Sequence, residues 1–224
     1  MIFSGSTKKW LLYLFHKPKM IYYYSHWLNS LKEGHSPLED QFPWMVYEAV
    51  DWLKNVLKPN MTVFEWGSGG STLFLAKHVQ SVFTVEHDAK WHLQVSSKLV
   101  QCGLNSIDYQ LIEPTISNQT DPFYVSSDQK FQGYSFSDYV QAIDGYSKNS
   151  FDLVVVDGRA RPGCIKHAIP RVRPGGYILL DNSERIEYAL GKQLLTKWHQ
   201  IVFRGPGPYA DFFTETTVWQ KPIA

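Results

Sequence analysis

The sequence predicts an α/β protein with a mainly parallel sheet, on three observations. From residue 61 onward, short apolar or β-branched runs alternate with segments of helical length, as in successive βαβ units. One of these runs, residues 151–156, is almost continuously apolar, which is typical of a central strand buried on both faces. A Gly-Pro-Gly-Pro turn at residues 205–208 precedes the last run and predicts a closing antiparallel hairpin.

These patterns place the individual elements of the α/β domain, which we assign to residues 60–224. Strands are expected at residues 61–66, 81–86, 107–112, 151–157, 177–181, 200–203 and 214–219. Helices are expected between them at residues 72–79, 89–101, 136–146, 163–172 and 185–198. Residues 113–135 are long and unpatterned, which indicates a functional lid or a disordered loop.

Residues 1–59 are interpreted as a helical, aromatic-rich extension. Helices are expected at residues 8–16, 22–31 and 39–57, the last because its apolar residues recur at helical spacing. The apolar run at residues 10–15 is too short for a membrane span, so no transmembrane segment is expected. A packed amphipathic helix is the favoured interpretation, and an anchor at a membrane surface is the alternative.

Composition excludes several classes of protein. An apolar fraction of 44% excludes intrinsic disorder. The 22 basic residues balance 21 acidic residues without an evident basic cluster, so a nucleic-acid partner is not expected. Two cysteines are too few for a disulfide framework and are interpreted as free thiols, which predicts a cytoplasmic protein, although a single bridge stays open. The oligomeric state is not predictable from the sequence.

The most informative motif is a glycine-rich turn after the first strand, which reads Glu-Trp-Gly-Ser-Gly-Gly-Ser-Thr at residues 65–72. Glycines allow a ligand to approach the backbone, and the start of the following helix offers free N–H groups. Glu86 ends the next predicted strand, where a carboxylate can accept hydrogen bonds from ribose hydroxyls. Together these features indicate a ligand that contains a nucleoside.

The motif distinguishes between nucleoside cofactors. A dinucleotide fingerprint requires a third glycine or an alanine where this sequence has Thr72, which disfavours NAD and FAD. Glu65 followed by Gly67 and Gly69 resembles motif I of the class I S-adenosylmethionine-dependent methyltransferases. With Glu86 and the closing hairpin, the resemblance covers residues 61–220. It implies a seven-stranded Rossmann-like fold, a methyl-transferring enzyme, and S-adenosylmethionine as cofactor.

The resemblance also implies roles for residues around the motif. Glu65 and Gly67 would lie near the methionine end of the cofactor, and Glu86 would bind the ribose diol. Ser71 and Thr72 would bind the methionine carboxylate. The other residues expected at the cofactor are Trp66, Ser68, Gly69, His87, Asp157 and Gly158.

Two further strands are expected to end in acidic residues. Asp157 ends one, and Asp181 followed by Asn182 ends the other, so all three should lie on the same edge of the sheet as Glu65 and Glu86. Their oxygen atoms suit Mg²⁺ or another divalent cation. The pattern resembles cation-dependent O-methyltransferases of the catechol, caffeoyl-CoA and sugar types. This resemblance implies that Asp157, Asp181 and Asn182 hold a metal and that the two aspartates are catalytic.

An alternative for these acidic residues is structural. Asp157 would then only border the cofactor, and Asp181 and Asn182 would cap the next helix. Ala160 occupies the position of a basic residue, often a catalytic lysine, in catechol-type enzymes, so no catalytic lysine is assigned. Arg159 and Arg161, near the same edge, are candidates for contacting an acidic or phosphorylated acceptor.

The sequence therefore predicts a methyltransferase acting on a small molecule, with O-methylation of a sugar or secondary-metabolite hydroxyl as the leading hypothesis. The helical extension would help to shape and cap the acceptor site. Three alternatives stay open: an NAD-dependent oxidoreductase, an aminopropyltransferase of the spermidine-synthase kind, and a non-catalytic nucleotide-binding or scaffold protein.

Overall fold

The computed structural model describes residues 5–104, 107–118 and 120–223. Within these residues the chain forms nine strands, nine α-helices and short 3₁₀ segments. The strands are β1 (Thr62–Trp66), β2 (Ser81–Glu86), β3 (Ile107–Leu111), β4 (Thr115–Ile116), β5 (Tyr134–Ser135), β6 (Phe151–Val156), β7 (Val172–Asp181), β8 (His199–Pro206) and β9 (Phe213–Gln220). The helices are α1 (Gly5–His16), α2 (Ile21–Ser30), α3 (Pro37–Asp40), α4 (Tyr47–Val56), α5 (Gly70–Ala76), α6 (Ala89–Gln101), α7 (Ser137–Gln141), α8 (Arg161–Ala168) and α9 (Ala189–Gln193).

Seven of the strands form one sheet in the order β3-β2-β1-β6-β7-β9-β8. All neighbours are parallel except β9, which is antiparallel to both β7 and β8. The predicted fold, a mainly parallel seven-stranded sheet with a closing antiparallel hairpin, is confirmed. Because β1, β2, β6 and β7 are parallel, their carboxyl ends meet at one edge of the sheet.

Helices cover both faces of this sheet, so its central strands are buried on each side. On one face, Phe64 and Trp66 of β1 pack with residues of α7 and α8. On the other face, Val63 packs with residues of α4 and α5. Burial on both faces explains why β6 is apolar at every position except Asp152 rather than alternating.

The N-terminal helices pack on the closing hairpin through an aromatic cluster. Trp10, Tyr23, Trp27 and Tyr47 are buried together, and Trp10 meets Phe213 of β9 edge-on at 5.6 Å between ring centroids. The outer side of α1 leaves Leu11, Leu12 and Phe15 exposed. In the part of the chain that the structure describes, no helix is both long and apolar enough to cross a membrane. Cys102 and Cys164 are free thiols.

Several predicted elements differ from the structure. The helix predicted at residues 136–146 is a short helix, α7, followed by a 3₁₀ turn. The helix predicted at residues 163–172 ends at Ala168, and β7 begins at Val172 rather than at residue 177.

The helix predicted at residues 39–57 is divided into α3 and α4, because Gln41 adopts a left-handed conformation (φ 53°) and Pro43 lacks a backbone donor. The helix predicted at residues 185–198 is reduced to a 3₁₀ turn and α9. The segment predicted to be an unpatterned loop, residues 113–135, contains the short antiparallel pair β4–β5.

Candidate active site

Two cavities open at the edge where the parallel strands end. The first, which we call the glycine-loop cleft, has a volume of about 460 Å³ and is lined by the turns that follow β1, β2 and β6. The second, the hairpin pocket, has a volume of about 200 Å³ and lies between the end of β7 and the turn that joins β8 to β9. Trp44, Asp157, Asn182 and Arg185 line both cavities, so the two spaces adjoin.

The glycine-loop cleft contains most of the residues predicted at the cofactor. Its lining includes Gly67, Ser68, Glu86, His87, Asp157 and Gly158, together with Arg159, Arg161 and Asn182. Glu65, Trp66, Gly69, Ser71 and Thr72 do not line the cleft and lie behind its wall or beside it. Six of the eleven residues predicted at the cofactor therefore line one cleft, and the other five belong to the layer around it.

Close backbone contact between the turns after β1 and β6 explains two of the glycines. Gly67 has a φ of 88°, and a Cβ there would lie 2.7 Å from the nitrogen of Gly158. A Cβ on Gly158 would in turn lie 1.9 Å from the hydroxyl of Tyr139. Only glycine fits a left-handed position with no room for a side chain. The floor of the cleft is consequently bare backbone.

Glu65 lies behind this floor with one oxygen engaged and the other free. Its Oε2 accepts hydrogen bonds from the hydroxyls of Thr72 (2.6 Å) and Thr84 (3.1 Å). Its Oε1 is buried without a partner among the residues described, which is rare for a polar atom. Burial raises the pKa of Glu65 to about 7 despite the opposing effect of the hydroxyls of Ser71, Thr72 and Thr84. Glu65 is fully buried and does not line the cleft, so Oε1 is not exposed to a ligand in the structure as it stands.

Glu86 is buried as well, but both its oxygens have donors. Oε1 accepts from the backbone N–H groups of His87 (2.7 Å) and Asp88 (2.9 Å). Oε2 accepts from the backbone and the hydroxyl of Ser68, at 3.0 and 2.9 Å. Burial alone would raise the pKa of Glu86, but the contacts from His87, Ser68 and Asp88 lower it to about 2. The cleft wall therefore carries a carboxylate that stays charged at neutral pH.

Residues at the start of α5 are less available than the sequence predicted. Thr72 is fully buried and bonded to Glu65, and a Cβ on Gly70 would lie 2.2 Å from the carbonyl oxygen of Pro37. The segment before α4 thus covers this helix start. Trp66 is also fully buried and its indole N–H donates to the carbonyl of Tyr139 at 2.8 Å. A ligand can reach Trp66 only through its backbone.

Several residues at the two cavities escaped the sequence analysis. Trp91 lines the cleft and donates its indole N–H to the carbonyl of Ser68 at 2.8 Å. Trp44 and Phe212 contribute aromatic surface to the hairpin pocket. Of these residues, only Trp91 could have been found from the sequence. The N-cap Asp88 places Trp91 in the first turn of α6, beside the glycine loop.

The guanidinium of Arg161 lies at the carboxyl edge of the sheet, between the turns that follow β6 and β7. Nε donates to the carbonyl of Gly158 at 3.0 Å, and Nη1 donates to the carbonyl of Asp181. Nη2 donates to both the carbonyl and Oδ1 of Asp157, each at 2.9 Å. Arg161 is only 5% exposed, so it acts chiefly on protein groups rather than on an acceptor. Arg159 instead pairs with Asp128 of the long loop at 3.3 Å.

The predicted metal ligands do not fit a divalent cation. Oδ1 of Asp157 is paired with Arg161, and Oδ1 of Asp181 accepts from the hydroxyl of Thr216 at 2.6 Å. The side-chain oxygen of Asn182 faces Arg161, at 3.5 Å. Within residues 5–104, 107–118 and 120–223, no group of three His, Cys, Asp or Glu side chains could hold a metal. No step through a metal is therefore derived.

Asp181 has the chemistry of a weak acid close to neutrality. It is 2% exposed yet forms part of the lining of the hairpin pocket. Burial, followed by the nearby charge of Asp157, raises the pKa of Asp181 to about 8. Once deprotonated, a carboxylate with such a pKa is a stronger base than an ordinary aspartate.

Comparison with solved structures identifies the fold. The chain is similar to an O-methyltransferase from Bacillus cereus in complex with S-adenosylhomocysteine. The two share 18% identity and a TM-score of 0.54, and the match covers 72% of this chain and 74% of that chain. A SAM-dependent O-methyltransferase from Thermotoga maritima gives 14% identity and a TM-score of 0.54 over 84% of this chain and 72% of that chain. An rRNA methylase from Streptococcus thermophilus gives 13% identity and a TM-score of 0.54 over 77% and 93%. No family model and no curated protein matches the sequence.

The chain thus has the fold of class I S-adenosylmethionine-dependent methyltransferases, as its motif predicted. At these identities the similarity establishes the fold, and the chemistry has to be argued from the residues of the two cavities.

Proposed function

We propose that the protein is an S-adenosylmethionine-dependent methyltransferase that methylates a hydroxyl group of a small molecule, such as a sugar or a secondary metabolite. The observation that carries this proposal is the junction of the two cavities. The glycine-loop cleft and the hairpin pocket share Asp157, Asn182, Arg185 and Trp44 as a common wall. A cofactor in the first and an acceptor in the second would meet there.

Residues of the glycine-loop cleft suit the polar groups of S-adenosylmethionine. Glu65, directly behind the floor of the cleft, has a buried oxygen without a partner among the residues described that the amino group of the methionine moiety would reach once the floor admits it. Glu86 is held as a carboxylate beside the cleft, where hydroxyls of a ribose can donate to it. His87 and Trp91 supply ring surface on the same wall. When bound, the cofactor supplies an activated methyl group on its sulfonium.

The protein's part in the transfer is positioning and proton removal. Trp44 and Phe212 form apolar walls against which the carbon skeleton of an acceptor can pack. Placing the acceptor oxygen in line with the methyl group converts the transfer into an oriented, unimolecular step. Asp181 would accept the hydroxyl proton, and Asp157, fixed by Arg161, would orient the acceptor.

A small acceptor is favoured over RNA by the size and charge of this surface. A pocket of about 200 Å³ accepts a single ring with a few substituents rather than an extended nucleic-acid strand. The net charge is +1, and Arg159 and Arg161, two of the basic residues in the adjoining cleft, are paired with Asp128 and Asp157, which reduces the positive charge available to a phosphate backbone.

Calorimetric titration with S-adenosylhomocysteine tests the proposal, with NAD as the control ligand. We expect micromolar affinity, about −8 kcal/mol, for S-adenosylhomocysteine and no heat with NAD. Binding would justify a screen of hydroxylated acceptors with labelled S-adenosylmethionine, using the Asp181→Asn variant as the inactive control. Absence of binding to both ligands would refute the enzyme proposal and favour a scaffold protein.

A further inference from the structure

We propose that the guanidinium of Arg161 takes the place that the sequence had assigned to a divalent cation, so that the site works without a metal ion. The catalytic meaning of this inference rests on the proposed function. Its central claim, that a protein cation fills the position between Asp157, Asp181 and Asn182, concerns binding alone and can be tested without an acceptor.

The hydrogen bonds of Arg161 account for the whole donor capacity of its side chain. A guanidinium has five N–H groups in a planar fork. In the structure it makes five contacts, to the carbonyls of Gly158, Asp157 and Asp181 and to the side-chain oxygens of Asp157 and Asn182. Four of these five oxygens belong to the three residues predicted as metal ligands. Arg161 contacts Asp157 and Asn182 through their side-chain oxygens but Asp181 only through its carbonyl, so the planar fork occupies two of the three predicted ligand side chains.

Local structure fixes the guanidinium in that position. Ala160 is in the left-handed region with a φ of 47°, which is unusual for alanine and turns the chain so that Arg161 starts α8. The ring of Tyr188 lies 5.1 Å from the guanidinium carbon on one side. With 5% exposure and every N–H engaged, the side chain has little freedom to leave.

A fixed guanidinium performs two tasks that a metal would otherwise perform. It joins the ends of β6 and β7, because the same group binds the carbonyls of Asp157 and Asp181. It also places a permanent positive charge 2.9 Å from the carboxylate of Asp157, since arginine is not deprotonated in proteins. A divalent ion at the same oxygens would meet this charge at close range and be repelled.

Titration of the wild-type protein with Mn²⁺, used as a spectroscopic stand-in for Mg²⁺, is the first test. We expect no saturable Mn²⁺ binding, and equal affinity for S-adenosylhomocysteine in excess EDTA and in excess Mg²⁺. Micromolar Mn²⁺ binding that is lost in Asp181→Asn would overturn the proposal, whether or not the protein methylates anything.

Removal of the guanidinium gives the second test. In Arg161→Ala the oxygens of Asp157 and Asn182 lose their cation, so Mn²⁺ should bind at least about tenfold more tightly than to wild type. Arg171→Ala is the matched control, because Arg171 also pairs with a carboxylate, Asp144 at 3.3 Å, but lies outside both cavities. The control should gain no Mn²⁺ affinity.

The remaining outcomes are equally decisive. A folded Arg161→Ala protein without any gain in Mn²⁺ affinity would show that the guanidinium does not stand in a cation position, and would overturn the proposal. If Arg161→Ala does not fold, Arg161→Lys keeps a charge there and should fold without binding Mn²⁺, whereas Mn²⁺ binding by the lysine variant would contradict the inference. Failure of S-adenosylhomocysteine to bind would refute only the proposed function.

Discussion

Two carboxylates on neighbouring strands of the same sheet have opposite properties because their donors differ. Glu65 has two hydroxyl donors on one oxygen and none on the other among the residues described, whereas Glu86 has donors on both. Burial therefore dominates at Glu65, and hydrogen bonding dominates at Glu86. The sequence identified both acids by their strand-end positions, but it could not indicate this difference, which depends on Thr84, Ser68 and the backbone of residues 87–88.

Replacement of Glu65 by Gln should make the protein more stable at alkaline pH. The pKa of Glu65 is raised from 4.5 to about 7 in the fold, so the folded protein binds this proton more tightly than the unfolded chain does. Stability consequently falls as pH rises from 4.5 through about 7, and Glu65→Gln abolishes that loss. Denaturant unfolding should show a gain for the variant above pH 7 that disappears on acidification.

Glu86→Gln is the control, because its effect on stability should change with pH in the opposite direction. The pKa of Glu86 is lowered to about 2, so its contribution to stability is complete above the ordinary value of 4.5 and is lost as pH falls toward 2. This variant should be less stable than wild type at neutral pH, with a difference that shrinks in acid. The same pH trend in both variants would contradict the burial argument.

Asp181 should control the pH dependence of turnover. Because burial and Asp157 raise its pKa to about 8 in the ligand-free protein, the basic form becomes dominant only above that pH, and kcat/KM should increase through about pH 8. Asp181→Asn should abolish turnover while calorimetry still detects S-adenosylhomocysteine. A variant with full activity, or a pH profile that is flat through this range, would remove Asp181 from the proposed mechanism.

At the scale of elements, the start of α5 depends on close contact with the segment before α4. A Cβ on Gly70 would lie 2.2 Å from the carbonyl oxygen of Pro37 and 2.3 Å from that of Phe42. Gly70→Ala should therefore displace this segment and lower the free energy of unfolding by about 1–3 kcal/mol. Chemical denaturation measures this loss.

Gly145→Ala is the matched control for Gly70→Ala. Gly145 has no left-handed φ, and nothing lies within 4 Å of a Cβ built on it. Its unfolding free energy should change by no more than about 0.5 kcal/mol. Equal losses in the two variants would indicate a general cost of replacing glycine and not a specific contact at α5.

The sequence revealed those elements whose conformation is determined by the residues within them. The strands β1, β2 and β6 were predictable, because each is a short run rich in Val, Phe and other apolar or β-branched residues. The sequence did not reveal the break between α3 and α4. The apolar residues at helical spacing all lie at residues 45–56, and the predicted helix was extended from them back across Pro43. The predicted substrate role of Arg161 took no account of the left-handed turn at Ala160, a residue whose type gives no sign of that conformation.

At the scale of the whole molecule, the N-terminal extension and the closing hairpin form one wall of the hairpin pocket. Trp27 donates its indole N–H to the carbonyl of Ala210 at 2.7 Å, and Ala210 lines the pocket. The hydroxyl of Ser30 accepts from the backbone of Tyr209 at 3.0 Å. The extension thereby fixes the turn between β8 and β9, which supports the hypothesis that it shapes the acceptor site from a distance.

Trp27→Phe tests this long-range role, because it keeps an aromatic ring and removes only the indole donor. The carbonyl of Ala210 would lose its partner, at a cost of about 1–3 kcal/mol if it stays buried, so the turn should loosen. We expect a several-fold higher KM for the acceptor and an unchanged affinity for S-adenosylhomocysteine, since the glycine-loop cleft does not include the turn. Steady-state kinetics and calorimetry separate the two effects.

Trp10→Phe is the matched control, because Trp10 belongs to the same aromatic cluster and its indole nitrogen has no partner among the residues described. It changes the packing of the extension, including its contact with Phe213 at the start of β9, but leaves the hydrogen bond to Ala210 in place. A higher acceptor KM in Trp27→Phe alone would mean that the hydrogen bond to Ala210 transmits the effect. Equal changes in both variants would mean that the extension acts only through its packing, and a loss of S-adenosylhomocysteine affinity in either would show that the two cavities are not separable.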